Sequence, residues 1–203
     1  AVLAVQMGEH LHLPTGRLRL LAAGGLLHDI GKLTVPTEVL QKPARLTDEE
    51  FDVVQRHPAD GRILLTELGG FHPLILELVE SHHERVDGTG YPAGLLSNQF
   101  APLVQLISVC DVYAALCVDR PYRPALETRT ALTDTLLLAE QGALNRFEAE
   151  KLLQLGFYPV GSVVELADGA VGVVMASKSA NRIPDPARPV LTLFFEADAA
   201  PLT

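Results

Sequence analysis

The sequence predicts a mainly α-helical domain followed by a small antiparallel β-unit. Apolar residues recur at helical spacing through roughly the first three quarters of the chain. They make up 48% of its 203 residues, which is enough for a real core. After Gly156 the pattern changes to the alternation typical of strands, and Asp168-Gly169 marks a hairpin turn. We therefore expect a helical domain over residues 1–156 and a β-unit over residues 157–203.

Proline, glycine and capping signals divide the helical part into segments. Pro14-Thr15-Gly16 separates the first two helices, and Gly69-Gly70 ends a later one. Thr47 and Glu50 form a capping-box pattern. The helix after Thr47 is expected to end near His57-Pro58, because a residue before proline avoids the α region. The other predicted helices cover residues 2–13, 17–30, 60–68, 73–83, 102–117, 127–141 and 146–155.

Residues 84–101 interrupt the helices. Their centre, Asp87-Gly88-Thr89-Gly90-Tyr91-Pro92, has the composition of turns, and a connection of about 18 residues without regular structure is usually functional. Beyond the helices, strands are predicted over residues 162–167, 170–176 and 190–195.

Charge, hydropathy and cysteine spacing exclude several classes of protein. The formal net charge of −9 makes the chain a poor candidate for gripping long nucleic acid, although metals and local cations can still attract a small anion into a cleft. No run of about 18 apolar residues could form a membrane helix, and no signal peptide opens the chain. Cys110 and Cys117 would lie roughly 10 Å apart on one helix, too far for a disulfide, which favours reduced thiols in a cytoplasmic protein. The uncapped helical pattern at Ala1 predicts a fragment with a truncated N-terminal end.

The strongest candidate for chemistry is the segment Leu27-His28-Asp29-Ile30-Gly31-Lys32. His28 and Asp29 follow an apolar run and are expected at the inner end of a core helix, where an unpaired charge is costly. A bound metal ion would offset the free-energy cost of burying this charge. An aspartate can also bridge two ions with its two oxygens. Gly31 removes a side chain where something must approach closely, and Lys32 adds a cation suited to phosphate chemistry. For His28-Asp29 alone, a hydrogen-bonded core pair is the alternative.

Further histidines and an aspartate stand at the ends or in the interior of predicted helices. His57 precedes Pro58, His82-His83 closes a helix, and Asp111 lies in an apolar helix where a buried carboxylate needs a partner. Taken singly, these residues could be solvated helix ends or core hydrogen-bonding groups. With His28-Asp29 they supply four imidazoles and two carboxylates, a donor set that Fe, Mn or Zn favours.

The ordered set of motifs resembles the HD-GYP family, a branch of the HD phosphohydrolases. The resemblance covers almost the whole helical region. Its segments, in chain order, are His28-Asp29-Ile30-Gly31-Lys32, Val35-Pro36, Lys42-Pro43, Leu46-Thr47, His57-Pro58, His82-His83-Glu84, Asp87-Gly88-Thr89-Gly90-Tyr91-Pro92, Gly94-Leu95, Asp111-Val112-Tyr113 and Asp119-Arg120-Pro121-Tyr122-Arg123.

This resemblance implies an HD-type helical bundle that hydrolyses cyclic di-GMP or a related cyclic dinucleotide to the linear dinucleotide or onward to GMP. The reaction would use two or three divalent metal ions, Fe or Mn foremost. Asp29 would bridge two ions, and Lys32 would contact the scissile phosphate. One ion would be held by His57, His82 and His83, and the other by His28 and Asp111. Substrate-binding roles are implied for Gly88, Gly90, Tyr91, Arg120 and Arg123; the two arginines could instead pair with acids on the surface.

The sequence departs from the family pattern in three places. Family members usually carry a further metal-binding histidine in the helix before His28, which would fall before Ala1. His10 and His12 come too late in that helix to replace it and are expected at the surface. Ala114 and Gln105 replace residues that are common in the family and are interpreted as drift.

Three functions stay open on the sequence. The first is a phosphodiesterase, which the complete downstream ligand set favours. The second is a metal-poor receptor that binds the dinucleotide without turnover. The third is an interaction module whose Gly-Tyr-Pro loop docks signalling domains such as GGDEF cyclases. A homodimer is compatible with each of them.

Overall fold

The computed structural model describes residues 1–119, 124–155, 163–176 and 190–195. The chain divides into two compact units, Ala1–Ala149 and Glu150–Thr203. The predicted domain boundary at residue 156 falls outside the described residues and stays a prediction.

The first unit is built from helices, the last of which continues past Ala149 into the second unit. Nearly every helix expected from the sequence is present, and two short elements, a 3-10 helix and α3, are additional. In chain order the helices are α1 (Val2–His10), α2 (Thr15–Leu27), the 3-10 helix (Ile30–Thr34), α3 (Thr37–Leu40), α4 (Asp48–Val54), α5 (His57–Leu68), α6 (Pro73–Ser81), α7 (Pro102–Leu116), α8 (Thr128–Glu140) and α9 (Arg146–Gln154).

The core of this unit forms around α7. Every residue from Leu103 to Cys110 is buried, and α7 contacts α1, α2, α6 and α8. In turn, α2 packs on α1 and α6, and α5 packs on α6 and on the 3-10 helix. Because helix ends meet in this arrangement, side chains distant in sequence come close together at one place in the bundle. The bundle predicted from the sequence is confirmed.

The region around Thr47 and His57 confirms one prediction and corrects another. Thr47 caps α4, with both reciprocal hydrogen bonds to Glu50 of the capping box formed. The prediction that this helix ends near His57-Pro58 is wrong, because α4 ends at Val54 and His57 is the first residue of α5. Proline is tolerated in the first turn of a helix, where its missing N–H has no intrahelical partner. Pro58 therefore marks the start of a helix, with His57 at its first position.

The second unit contains an antiparallel sheet of β1 (Val163–Glu165), β2 (Val171–Ala176) and β3 (Val190–Phe195), in the order β1-β2-β3. Val173 pairs with Val163 on one side and with Thr192 on the other. Gly169 has a φ of 87°, so the predicted Asp168-Gly169 turn uses the backbone freedom of glycine. The predicted antiparallel β-unit is confirmed.

Membrane and disulfide features can be assigned for the described part of the chain. None of its helices has the length and apolar content needed to cross a bilayer. Cys110 and Cys117 are free thiols, as expected from their spacing, and burial raises the pKa of Cys110 well above its usual range.

Candidate metal centre

The six residues predicted as metal ligands lie on or next to five helices: α2, the 3-10 helix, α5, α6 and α7. His28 caps the end of α2, and Asp29 begins the 3-10 helix. His57 opens α5, and His82 caps the end of α6. The two remaining residues, His83 and Asp111, lie directly after α6 and within α7.

Three of the imidazoles are oriented by the same local hydrogen bond. The Nδ1 atoms of His28, His57 and His82 each bond to the carbonyl three residues earlier, at 2.9, 2.7 and 2.8 Å. A carbonyl can only accept, so each Nδ1 carries a proton, and in the neutral ring each Nε2 presents a lone pair. This arrangement is how metal-binding histidines are usually held in protein sites.

The lone pairs converge. The Nε2 atoms of His57 and His82 lie 3.3 Å apart, so two acceptors face each other when both rings are neutral. Only a shared cation, a proton or a metal ion, relieves that contact. Ligand atoms about 2.1 Å from a tetrahedral ion lie about 3.4 Å from one another, which agrees with the observed spacing. The donors therefore fit a divalent ion.

Asp29 links two groups of donors through its two oxygens. Its Oδ1 lies 3.3 Å from His57 Nε2 and 3.9 Å from His82 Nε2. Its Oδ2 lies 3.5 Å from His28 Nε2 and accepts a hydrogen bond of 2.7 Å from Lys32 Nζ. One donor atom each from Asp29, His57, His82 and His83 fall within 4.8 Å of one another.

Asp111 lies close to the other histidines. One of its oxygens is 3.5 Å from His28 Nε2, and the other is 3.9 Å from His83 Nδ1. A small pocket beside His28 and Asp111 is lined in part by Ala1, Ala4 and Gly25. The structure thus brings all six predicted residues into one cluster. Its donors suit borderline divalent ions.

Electrostatics keep most of these side chains in the forms that bind metals. Burial lowers the pKa of His82 to about 4 and, with the help of the nearby His82 ring, that of His83 to about 2. Burial opposes ionisation of Asp111, but the hydrogen bond from His28 and the neighbouring histidines hold its pKa at about 2. Asp29 is likewise held below its usual pKa range, against burial, by His57, His28 and Lys32. Neutral imidazoles and ionised carboxylates are the ligand forms.

The pKa of His28 shifts in the opposite direction to the pKa values of His82 and His83. Burial lowers its pKa, but Asp111 and Asp29 together outweigh burial and raise the pKa above the ordinary value. A positive charge is therefore favoured at the point where the two carboxylates approach each other. A metal ion would supply that charge in place of the proton.

Access to the cluster is one-sided. His57 and His82 are 1% and 0% exposed, whereas the side chains of Asp29 and Lys32 are 38% and 31% exposed. A ligand can therefore approach on the side of Asp29 and Lys32.

Gly31 allows the 3-10 helix to lie against α5. A Cβ atom at Gly31 would overlap the backbone of His57 and would come within 2.5 Å of Gly61 N. The close approach expected at Gly31 is therefore an approach of backbone to backbone. It sets the distance between Asp29, at the start of the 3-10 helix, and His57 at the start of α5.

The loop of residues 84–101 covers part of the cluster. Tyr91 stacks on His83 with ring centroids 4.7 Å apart, and its N–H donates to the His83 carbonyl at 3.3 Å. Gly90 has no space for a side chain, because a Cβ would collide with the backbone of Glu84 and Arg85. Gly88 has a φ of 82°. Gly88, Gly90 and Tyr91, for which substrate-binding roles are expected, thus belong to a loop that contacts the cluster.

Glu84 is a residue whose role the sequence analysis missed. Its side chain is 1% exposed, and its two carboxyl oxygens accept hydrogen bonds from the N–H groups of Ala93 and Leu95, at 2.7 and 2.8 Å. Glu84 therefore connects the chain segment before Tyr91 to the segment after it. An acidic residue between two histidines and a glycine-rich loop was the available signal, but the histidines drew the metal interpretation.

Gln105 also has a definite structural role. Its amide donates to the Ser97 carbonyl at 2.7 Å and accepts from Asn145 at 2.6 Å. The interpretation of Gln105 as drift is therefore incomplete, because its side chain joins the loop of residues 84–101 to the segment after α8.

The remaining histidines and arginines fall into two groups. His72 caps α6, accepting from the Leu74 N–H at 3.1 Å, and His12 is exposed. Arg120 and Arg123 lie outside the described residues, and their substrate-binding roles stay predictions.

Comparisons with known proteins agree on the family. Residues 1–145 match the HD domain family. The chain is 37% identical to a cyclic di-GMP phosphodiesterase of Pseudomonas aeruginosa, over 96% of this chain and 46% of that protein. It is 38% identical to a 3'3'-cGAMP-specific phosphodiesterase of Vibrio cholerae, over 62% of this chain and 29% of that protein.

A solved structure supports the fold. An HD-GYP-type protein of Bdellovibrio bacteriovorus superposes with a TM-score of 0.61 and 22% identity, over 74% of this chain and 47% of that one. The chain spans less than half the length of the curated relatives named above. The match over residues 1–145 shows that this chain belongs to the HD domain family, and its ordered motifs resemble those of the HD-GYP branch.

Proposed function

We propose that this chain is a metal-dependent phosphodiesterase that hydrolyses cyclic di-GMP, or a related cyclic dinucleotide, to the linear dinucleotide or onward to GMP. The observation that carries the proposal is the convergence of four histidines and two aspartates beside a half-exposed lysine. The curated relatives named above are phosphodiesterases of two different cyclic dinucleotides, which supports this substrate class.

The metal assignment follows the two groups of donors. Asp29 would bridge two divalent ions, Fe or Mn, because its oxygens face different histidines. His57, His82 and His83 would hold one ion, and His28 and Asp111 the other. Bound there, such ions would polarise the phosphodiester and lower the pKa of a water molecule that attacks phosphorus.

Lys32 is proposed to act on the phosphate. Its ammonium group hydrogen-bonds to Asp29 at 2.7 Å and is partly exposed, so a short rotation of a flexible side chain brings it to a phosphate oxygen above the cluster. Negative charge grows on the phosphoryl oxygens during hydrolysis, and a positioned cation stabilises it. Catalytic roles are therefore proposed for Lys32 and Asp29.

Metal analysis combined with a turnover assay tests the proposal. Protein supplied with Mn²⁺ or Fe²⁺ is expected to hold about two ions per chain and to release linear dinucleotide over time. Bound metal is measured by mass spectrometry, and products of cyclic di-GMP and 3'3'-cGAMP are separated by chromatography. Asp29→Ala is expected to remove both metal and turnover, while Glu67→Ala, which removes an exposed carboxylate of α5, is the control. Protein that holds little metal and binds a dinucleotide without cleaving it would instead support the receptor function.

Protein partners are also proposed for this chain. The loop of residues 84–101 is partly exposed, which is compatible with docking of GGDEF-type domains. Pull-down with such a domain, and measurement of molar mass in solution for a homodimer, would test them. Cytoplasmic placement stays a prediction from the sequence.

A further inference from the structure

Aromatic rings form a row that leads outward from the metal cluster. His83 is 3.9 Å from Asp111 and stacks on Tyr91 with centroids 4.7 Å apart and planes 30° apart. The next ring is Phe51 of α4, whose centroid is 6.5 Å from that of Tyr91 at an interplanar angle of 76°. The row therefore joins two elements, the loop of residues 84–101 and α4.

Exposure increases along the row. The side chain of His83 is 17% exposed, Tyr91 is half-buried, and Phe51 is 46% exposed. Phe51 contacts Tyr91 by an edge-to-face arrangement, which leaves much of its surface in solvent. An exposed phenylalanine by itself needs no explanation, because much of any protein surface is apolar. Its position at the outer end of a row that starts at the cluster is what distinguishes Phe51.

We propose that Phe51 is a specificity-determining residue that contacts a nucleobase of the dinucleotide. This inference rests on the proposed function and deepens it. A cyclic dinucleotide carries two flat bases outside the ring that contains its phosphates. With one phosphodiester at the cluster, a base must lie off to the side, and the row of rings offers it an apolar, aromatic wall. Bases stack well on aromatic side chains whatever their hydrogen-bonding edges.

Charge on α4 agrees with a base contact and opposes a phosphate contact. Phe51 is flanked by Asp48, Glu49, Glu50 and Asp52. Of these acids, Glu50 is paired with Lys42, and the helix segment as a whole carries negative charge. A phosphate would be repelled from this surface, whereas a neutral base would not be. The phosphate groups of the substrate would therefore bind near Lys32 and the metals, and one of its bases would bind near Phe51.

The test compares a substrate that has bases with one that has none. Phe51→Ala is expected to weaken equilibrium binding of cyclic di-GMP and to raise its KM by roughly tenfold or more, in the range seen when an aromatic stacking partner is removed. The value of kcat is expected to stay within about twofold. Hydrolysis of bis(p-nitrophenyl) phosphate, a phosphodiester without a nucleobase, should be unchanged in kcat/KM, because the cluster is intact. Phe51→Tyr should restore dinucleotide binding, since it keeps an aromatic face.

Two controls separate this proposal from its alternatives. Phe147→Ala removes another exposed phenylalanine of the helical unit, on α9, and should leave both substrates unaffected. If Phe51→Ala lowers activity on both substrates equally, Phe51 acts only by supporting Tyr91 and the proposal is overturned. If wild-type protein cleaves the dinucleotide and Phe51→Ala does so with unchanged KM, the specificity proposal fails while the proposed function stands. Wild-type protein that neither binds nor cleaves a dinucleotide would overturn both.

Discussion

Replacing Glu84 by glutamine tests whether one buried carboxyl group holds the loop that carries Tyr91. In the folded protein both oxygens of Glu84 accept from backbone N–H groups, those of Ala93 and Leu95. Glutamine has nearly the same shape, so no cavity forms. One of its two terminal atoms is an NH₂ group, which would face a backbone N–H, donor against donor.

The size of the effect follows from these contacts. A buried N–H without an acceptor costs about 1–3 kcal/mol, and loss of the negative charge weakens the second hydrogen bond by about 1 kcal/mol. We expect Glu84→Gln to lower the free energy of unfolding by roughly 2–4 kcal/mol if the loop stays docked. If the loop detaches instead, the loss of stability will be smaller, and the amides of Ala93 and Leu95 will exchange with solvent much faster.

Urea unfolding and amide hydrogen exchange measure the two parts of this prediction. Glu80→Gln is the control, because Glu80 is an exposed partner of Arg62 on α6 and its loss should cost under about 1 kcal/mol. The reasoning is refuted if Glu84→Gln unfolds like the Glu80 variant and also keeps normal protection at both amides.

Three further predictions concern the cluster itself. Lys32→Ala is expected to keep its metal but lose roughly 10²-fold in kcat, whereas Asp29→Ala should lose metal and rate together; near wild-type turnover by Lys32→Ala, with chemistry rate-limiting, would remove Lys32 from the mechanism. Gly31→Ala should destabilise the metal-free protein by more than about 2 kcal/mol in urea unfolding, because a Cβ would overlap the backbone of α5; Gly16→Ala, at a position with open space, should change little. Stability of the metal-free protein should fall as the pH is lowered from 6.5 toward 4. The pKa values of His82 and His83 are lowered on folding, so the unfolded chain binds more protons in this range. His28, whose pKa is raised, acts in the opposite direction but is outnumbered; a urea midpoint that is flat or rises on acidification would contradict this balance.

Much of the fold could be predicted because local signals agreed with tertiary structure. Pro102 opens α7 and the apolar run after it stays helical, and the Thr47 capping box forms as its spacing indicates. The antiparallel unit follows from alternation and from Asp168-Gly169. His57 shows the limit: a proline is compatible with either side of a helix boundary, so the local sequence does not decide which helix the histidine joins.

The cluster was predictable in membership but not in detail. Residue types and order indicate that His28, Asp29 and Asp111 belong together, yet distances between them arise from helix packing that has no local signal. Glu84 was missed for a related reason. Its partners, Ala93 and Leu95, contribute only backbone N–H groups. The residue types in a sequence do not indicate which backbone N–H groups need a side-chain acceptor.

The bonds from histidine Nδ1 atoms to helix carbonyls have a consequence for how metal is acquired. Each such bond fixes the tautomer and most of the side-chain rotation of His28, His57 and His82 before any ion arrives. The conformational entropy of ordering these ligands is therefore spent during folding. Metal ions would then bind to a preformed site. We therefore expect a chelator to remove them without unfolding the protein, and different divalent ions to bind the same nitrogen atoms. The ion that occupies this site in a cell would then depend mainly on which metal ions are available there.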